Sequence, residues 1–517
     1  MKVWLNRDED MVITGHRHPF WTRYEAGFDR AGRILGLKVE IYSDGGWTAD
    51  LSSPVLDRAL FHLDNAYHIP ELMFTGRVCR TNLPSNTAFR GFGGPQGMLV
   101  VEEAINRFAE RQGLDPADVR RLNFYGDAPR DQAPYGQMVV ADRSERIAEE
   151  LLASSDYTAR RAEIDAFNRA HTHVARGIGF QPVKFGISFT KSFLNQAGAL
   201  VLVCTDGTVQ LNHGGTEMGQ GLYIKIAQVV AAAFQIDVDK VKVTATRTDK
   251  VPNASPTAAS SGSDLNGMAA LDACEKIKAR LVTFGAELFG CEEAQVRFEN
   301  NQVVAGDARM DWGDFIQKAY LNRVSLSSSG FYATPNIYYD HAKGQGHPFL
   351  YYANGAACSE VVLDTLTGEY RVLRTDILHD AGQSLNPDID IGQIEGGFVQ
   401  GMGWLTTEEL VYSDNGRLLT TGPATYKIPA ISDTPPDLRV NLLANSPNKE
   451  ATVFRSKAVG EPPLMLGIAV WSALRDAVAS LTDGCYCPPL DTPATPERML
   501  NAVNAAKAWQ AAQQEAV

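Results

Sequence analysis

Gly198-Ala-Leu-Val-Leu-Val-Cys-Thr-Asp-Gly-Thr-Val-Gln-Leu-Asn-His213 alternates and breaks at Asp206-Gly207, which predicts a β-hairpin. It runs straight into Gly214-Gly-Thr-Glu-Met-Gly-Gln-Gly221 and then a helical apolar pattern over Leu222–Phe234. A hairpin, a glycine-rich loop and a helix in sequence point to mixed sheets with helices packed on them. The loop lacks the Gly-Lys-Ser/Thr of a Walker A motif. Its antiparallel lead-in also differs from a dinucleotide-binding fingerprint. The same order returns at Ala357–Leu378, with its turn at Leu366-Thr-Gly-Glu369, followed by Asp390-Ile-Gly-Gln-Ile-Glu-Gly-Gly-Phe-Val-Gln-Gly-Met-Gly403 as a glycine-rich entry into a further helix. This repetition hints at a duplicated unit.

Two further glycine- or hydroxyl-rich stretches lead into helices. Asn86-Thr-Ala-Phe-Arg-Gly-Phe-Gly-Gly-Pro-Gln-Gly97 precedes a helix over Pro95–Gln112, and Ser255-Pro-Thr-Ala-Ala-Ser-Ser-Gly-Ser-Asp264 precedes one over Leu265–Phe284. Four such junctions with few basic residues suggest backbone donors converging on one extended polar ligand. Tight helix-on-sheet packing is the competing explanation for the glycines. Lys457-Ala-Val-Gly-Glu-Pro-Pro-Leu-Met-Leu-Gly467 places one carboxylate, Glu461, on a stiff turn ahead of a helix expected to reach Leu481. It reads either as a general base or as a first-turn acid complementing the helix dipole. Arg58, in Leu56-Asp-Arg-Ala-Leu-Phe-His62, reads locally as an ion pair with Asp57 or another acid. Phe92 is a loop plug or a stacking surface for a flat ligand. Residues 165–180 read as a linker and strand lead-in, 285–310 as a small insert, and His16, His18, His171 and His173 as surface residues. Thr495 and Pro496 predict the cap and first residue of a terminal helix.

The 517 residues suffice for two or more domains, expected at 1–155 and 156–517. A net charge of −13 argues against nucleic acid or an anionic membrane as the main partner. Seven scattered cysteines predict a reducing, cytoplasmic setting. No His, Cys or carboxylate spacing suggests a metal held by side chains, and no hydrolase nucleophile motif is present.

Taken together and in order, Phe89-Arg-Gly-Phe-Gly-Gly-Pro-Gln96, Phe185-Gly-Ile-Ser-Phe-Thr190, Gly214–Gly221, Ser255–Ser260 and Lys457–Pro463 resemble the molybdenum-cofactor-binding region of the xanthine dehydrogenase/oxidase family. The likeness runs from about residue 5 to residue 505. It implies an α+β fold of two elongated mixed α/β subdomains with molybdopterin between them. Phe89, Arg90, Gly219, Gln220, Ala259, Ser260, Ser261, Gln393 and Gly460 are implied to hold the cofactor, whose own ligands carry the molybdenum. Glu461 is implied as the base that deprotonates the attacking oxygen. Phe92 and Phe189 would sandwich a purine, with Thr190, Ala258 and Ala259 beside it and Arg58 at its far end. The implied reaction takes hypoxanthine and xanthine towards urate. Electrons would pass to 2Fe-2S, FAD and NAD on other domains or subunits, in a dimer of such units. Arg58 separates this from an aldehyde oxidase-like assignment. The family's Gly-Gly-Gly-Phe-Gly-Gly-Lys-Glu-type loop is not found here. The chain is therefore expected to be N-terminally incomplete, and a non-catalytic protein that binds only cofactor or partner subunits is the alternative.

Overall fold

The computed structural model describes residues 3–140, 142–247, 249–250 and 254–515. Strands β1 (Phe20–Phe28) and β2 (Ile34–Gly46) pair antiparallel. Helix α1 (Ser52–Phe61) then returns the chain to β3 (Leu72–Arg80), parallel to β2. Helix α2 (Gly94–Gln112) follows, with Pro95 in its first turn and Gly113 closing it in the left-handed region at φ +64°. Ile34, Leu37, Val39 and Ile41 of β2 pack with Val101 and Ile105 of α2. The same core takes in Ile178, Phe180, Ala356 and Cys358, so its far side comes from beyond residue 155.

Those residues belong to β4 (Val174–Ile187) and a strand that it pairs with further along. Residues 165–180 are not a linker. A helix over Tyr157–Ala170 runs to the start of β4, and Arg160 docks it by pairing with Glu360 and Asp376. The next sheet has β5 (Gln196–Val203) and β6 (Val209–His213) as the hairpin. Helix α3 (Leu222–Phe234), β7 (Val241–Val243), helix α4 (Gly262–Phe289) and β8 (Ser327–Ala333) follow, giving the order β8-β5-β6-β7. The insert between α4 and β8 contains a small three-stranded sheet over residues 296–311 and a helix at Trp312–Leu321.

The hairpin β9 (Tyr351–Asp364) and β10 (Tyr370–His379) leads to α5 (Pro387–Thr406) and β11 (Asp437–Leu442), in a sheet ordered β11-β10-β9-β4. Asn386 caps α5 by accepting from the Ile389 N–H, so the glycine-rich stretch from Asp390 lies inside the helix and is not a loop leading to it. The expected single helix from Leu464 to Leu481 is two pieces, α6 (Pro462–Met465) and α7 (Ile468–Ala479). Gly467 sits between them, where a Cβ would fall 2.4 Å from the Gly401 carbonyl carbon of α5. Pro462–Thr482 is long and apolar enough to cross a membrane, but 83% of its apolar window is buried inside the protein. The terminal helix Pro496–Glu515 starts beneath Thr495, whose Oγ1 accepts from the Arg498 N–H at 3.4 Å.

His18 is not a surface residue. It is 2% exposed, and Nε2 lies 2.7 Å from Ser52 Oγ. All seven cysteines are free thiols.

Candidate functional site

The lead-in loops of α2, α3, α4, α5 and α6 meet around a cavity of about 590 Å³. This is within the range of pockets that hold small organic ligands. Its wall includes Phe89, Arg90, Phe92, Gln220, Ala258, Ala259, Ser260, Gln393, Gly460 and Glu461. Phe92, Ala259 and Ser260 carry left-handed backbone at φ +51°, +55° and +56°. Non-glycine residues hold that conformation at a cost of about 1 kcal/mol or more each, so the surroundings must enforce it.

Contacts with Glu461 hold Ser260 in that conformation. The Glu461 N–H donates to Ser260 Oγ at 2.7 Å, and Ser260 Oγ donates to Glu461 Oε2 at 3.1 Å. Glu461 Oε1 accepts the Gly91 N–H at 3.1 Å. No side-chain cap bond joins Glu461 to the helix that follows it. The carboxylate is thus pinned across three loops rather than capping its own helix. Two of its lone-pair sites are used, and the remainder can accept a proton.

Arg90 closes the other side of this wall. Its Nε donates to the Gly460 carbonyl at 2.6 Å, and its terminal nitrogens reach Gln400 Oε1 and the Gln393 carbonyl at 3.2 Å. Burial lowers its pKa while Glu461 opposes that shift. Its guanidinium therefore joins loops instead of waiting for an anion. The Gln220 side chain folds over its own loop, donating to the Thr216 carbonyl and accepting the Met218 N–H.

Three of the implied residues lie apart from the cavity wall. Arg58 is 1% exposed and makes no ion pair with Asp57. Its two terminal nitrogens donate to the Gly186 and Ser188 carbonyls at 2.6 Å, between the Phe185 and Phe349 rings. Burial pulls its pKa down to about 10, with Glu461 pulling the other way. The local reading missed this because α1 turns Arg58 inward, where carbonyls and ring faces replace a carboxylate. Phe189 packs against the core of the β5–β8 sheet, and its N–H donates to Asn195 Oδ1. Thr190 follows it, half-buried. Two more stand immediately beside the wall. Gly219 is next to Gln220 in open space, and buried Ser261 donates to the Ala258 carbonyl at the start of α4.

The wall also holds residues that sequence reasoning passed over. Lys225 and Asp390 form a buried ion pair between α3 and α5. Lys225 was detectable as the only charged residue in Leu222–Phe234. Asp264, buried in the first turn of α4, accepts from Tyr351 Oη at 2.8 Å, and burial pushes its carboxyl up to about 7. Lys457 is paired with Asp380 at 2.7 Å. Among the described residues no group of three or more His, Cys, Asp or Glu could hold a metal ion.

Models of the molybdopterin cofactor-binding domain match residues 1–124 and 150–435. The chain belongs to the molybdopterin cofactor-binding domain family. It is 50% identical over 508 residues to the xanthine dehydrogenase/oxidase of Felis catus, covering 97% of this chain and 36% of that protein. It is 48% identical over 483 residues to the xanthine dehydrogenase of Dictyostelium discoideum, covering 93% and 34%. The chain thus spans about a third of the length of these relatives. The fold matches quinoline 2-oxidoreductase from Pseudomonas putida 86 with a TM-score of 0.84 at 24% identity, over 97% of this chain and 64% of that one.

The wall residues fit the cofactor that gives the family its name. Gln393 and Gln400 offer amides, and Thr257 and Ser263 offer hydroxyls, around a cleft of suitable volume. Neutral donors and acceptors of this kind suit an extended polar heterocycle. The molybdenum itself would be carried by the cofactor's own ligands.

Proposed function

We propose that this chain forms the molybdenum-cofactor part of a xanthine dehydrogenase-type hydroxylase. It would oxidise hypoxanthine and xanthine towards urate with oxygen derived from water. Electrons would leave through 2Fe-2S centres to FAD and NAD carried on other domains or subunits. The observation that carries the reading is Glu461, a carboxylate in the cavity wall held by the Gly91 N–H and the Ser260 hydroxyl. The 50% identity to the cat enzyme over nearly the whole chain supports the substrate class.

When bound, the molybdenum cofactor supplies oxygen transfer to carbon and accepts two electrons. The protein's part is positioning and proton transfer. Glu461 takes the proton from the attacking oxygen, and a positioned base of this kind contributes roughly 10²–10⁴ in rate. Gly91 and Ser260 fix the direction from which the carboxylate approaches. Phe92 offers a ring face to a flat substrate, and Ala258 and Ala259 keep the adjoining wall low. Gln220, Gln393 and the backbone around Gly460 are assigned to the cofactor. Phe189 and Thr190 are assigned to the substrate end.

Arg58 acts in this reading through its field, since carbonyls hold its two terminal nitrogens. That same placement favours a second reading, an aldehyde oxidase-like hydroxylase needing no cation at the far end of its substrate. Arg58→Met separates them. A sharp loss of xanthine turnover supports the purine assignment, and unchanged turnover removes it. The primary test measures molybdenum content together with xanthine-dependent dye reduction. Metal near one per chain with turnover supports the hydroxylase, and inert metal-free protein contradicts it.

A further inference from the structure

Arg17 is a cation with one hydrogen bond among the described residues. A terminal nitrogen donates to the Arg90 carbonyl at 2.8 Å. Nε and the other terminal nitrogen are buried without a hydrogen-bond partner among the described residues. The guanidinium lies over Phe89 at 4.5 Å and over Trp404 at 5.1 Å from the ring centroids, an arrangement that attracts a cation. Burial lowers its pKa to about 10, and Glu408, bound by Tyr426 Oη at 2.8 Å, opposes that shift. Enclosing guanidinium nitrogens without hydrogen-bond partners is costly, which makes the one bond that Arg17 does form informative.

What it holds is one peptide group. The Arg90 carbonyl that accepts from Arg17 and the Gly91 N–H that donates to Glu461 are opposite ends of the same planar amide. Gly91 has φ +90°, so the backbone here is free to rotate that plane. Rotated by half a turn, the amide would aim its carbonyl at the Glu461 carboxylate and withdraw the N–H.

We propose that Arg17 is a positioning residue that locks the Arg90–Gly91 peptide with its N–H on Glu461. This rests on Glu461 being the base only for its effect on turnover. The lock itself can be read without cofactor or substrate. A hydrogen bond to a charged group is worth about 1.5–3 kcal/mol, so its loss corresponds to about ten- to hundredfold in an opening equilibrium.

The test is hydrogen–deuterium exchange of the full chain, followed on a peptide covering Phe89–Phe92, with Ile468–Ala479 as internal control. In Arg17→Met the Gly91 amide should exchange at least about tenfold faster while the control keeps its protection. Arg17→Lys restores one cationic donor to the Arg90 carbonyl and should return exchange to within about threefold of the parent. If Arg17→Met loses the control protection as well, Arg17→Lys alone decides. Unchanged Gly91 exchange in a folded Arg17→Met, or no rescue by lysine, overturns the proposal. In cofactor-loaded protein, Arg17→Met should lower kcat about tenfold with KM little changed. Faster Gly91 exchange with unaltered kcat would leave the lock standing and count against Glu461 as the base.

Discussion

The β8-β5-β6-β7 and β4-β9-β10-β11 sheets share one plan. Each has an antiparallel hairpin, then a helix (α3 or α5), then a strand parallel to the hairpin's second arm. Each has a second helix laid on the strand beside the hairpin's first arm, at glycines where a Cβ would strike helix backbone. Gly330 of β8 would meet the Ala269 carbonyl at 1.9 Å, and Gly179 of β4 the Ala469 carbonyl at 2.4 Å. The chain order differs, because β8 follows its helix whereas β4 precedes its hairpin. The two units meet through equivalent parts. Lys225 of α3 pairs with Asp390 of α5, and Ser260 before α4 pairs with Glu461 before α6. At this contact the units differ in one side chain of matching loops. The first presents a hydroxyl on strained backbone, and the second presents a carboxylate.

The largest expected effect comes from cutting the seam between the units. Lys225→Met should destabilise the protein by about 3–5 kcal/mol in urea unfolding, by leaving Asp390 buried and unpaired. A loss below about 1 kcal/mol would show that the helices do not depend on this contact. Asp264 gives a pH-dependent test. Folding raises its carboxyl from 3.8 to about 7, so the folded state keeps a proton that the unfolded chain releases in that window. Its contribution to stability is complete below pH 3.8, falls as pH rises towards 7 and is level above. Asp264→Asn should gain on the parent across this window by roughly 4 kcal/mol, measured by unfolding at several pH values. A pH-independent difference would contradict the assignment. Gly330→Ala and Gly179→Ala should each cost about 1–3 kcal/mol. Markedly unequal losses would break the equivalence of the two units. The smallest effect is expected at Glu217, which holds the lead-in to α3 by accepting the Gly219, Gly221 and Tyr223 N–H groups. Glu217→Gln should cost about 1 kcal/mol or less in thermal unfolding.

The elements of this plan were legible because they are local. Alternation with a turn dipeptide marks β5–β6, and apolar periodicity marks α3. The hint of duplication at Gly198–Gly221 and Ala357–Asp390 came from the same signals. Tertiary partners were not legible. Arg160 is ordered by acids about two hundred positions away, and Arg58 by carbonyls about one hundred and thirty away, so neither environment is written nearby. Arg17 and His18 sit in a polar tripeptide that reads as surface, yet Arg17 is drawn to the Arg90 carbonyl and His18 to Ser52 at the start of α1. The resemblance supplied a set of site residues. Phe89, Phe92, Gln220, Gln393 and Glu461 meet in one wall, while Arg58, Phe189 and Thr190 stand outside it.

In the proposed hydroxylase Glu461 reacts while the loops around it hold the cofactor. Glu461→Gln keeps the shape and leaves an acceptor for Gly91, so molybdenum per chain should match the parent. Xanthine-dependent dye reduction per molybdenum should fall by at least about a hundredfold. Turnover per molybdenum within about tenfold of the parent would contradict the account.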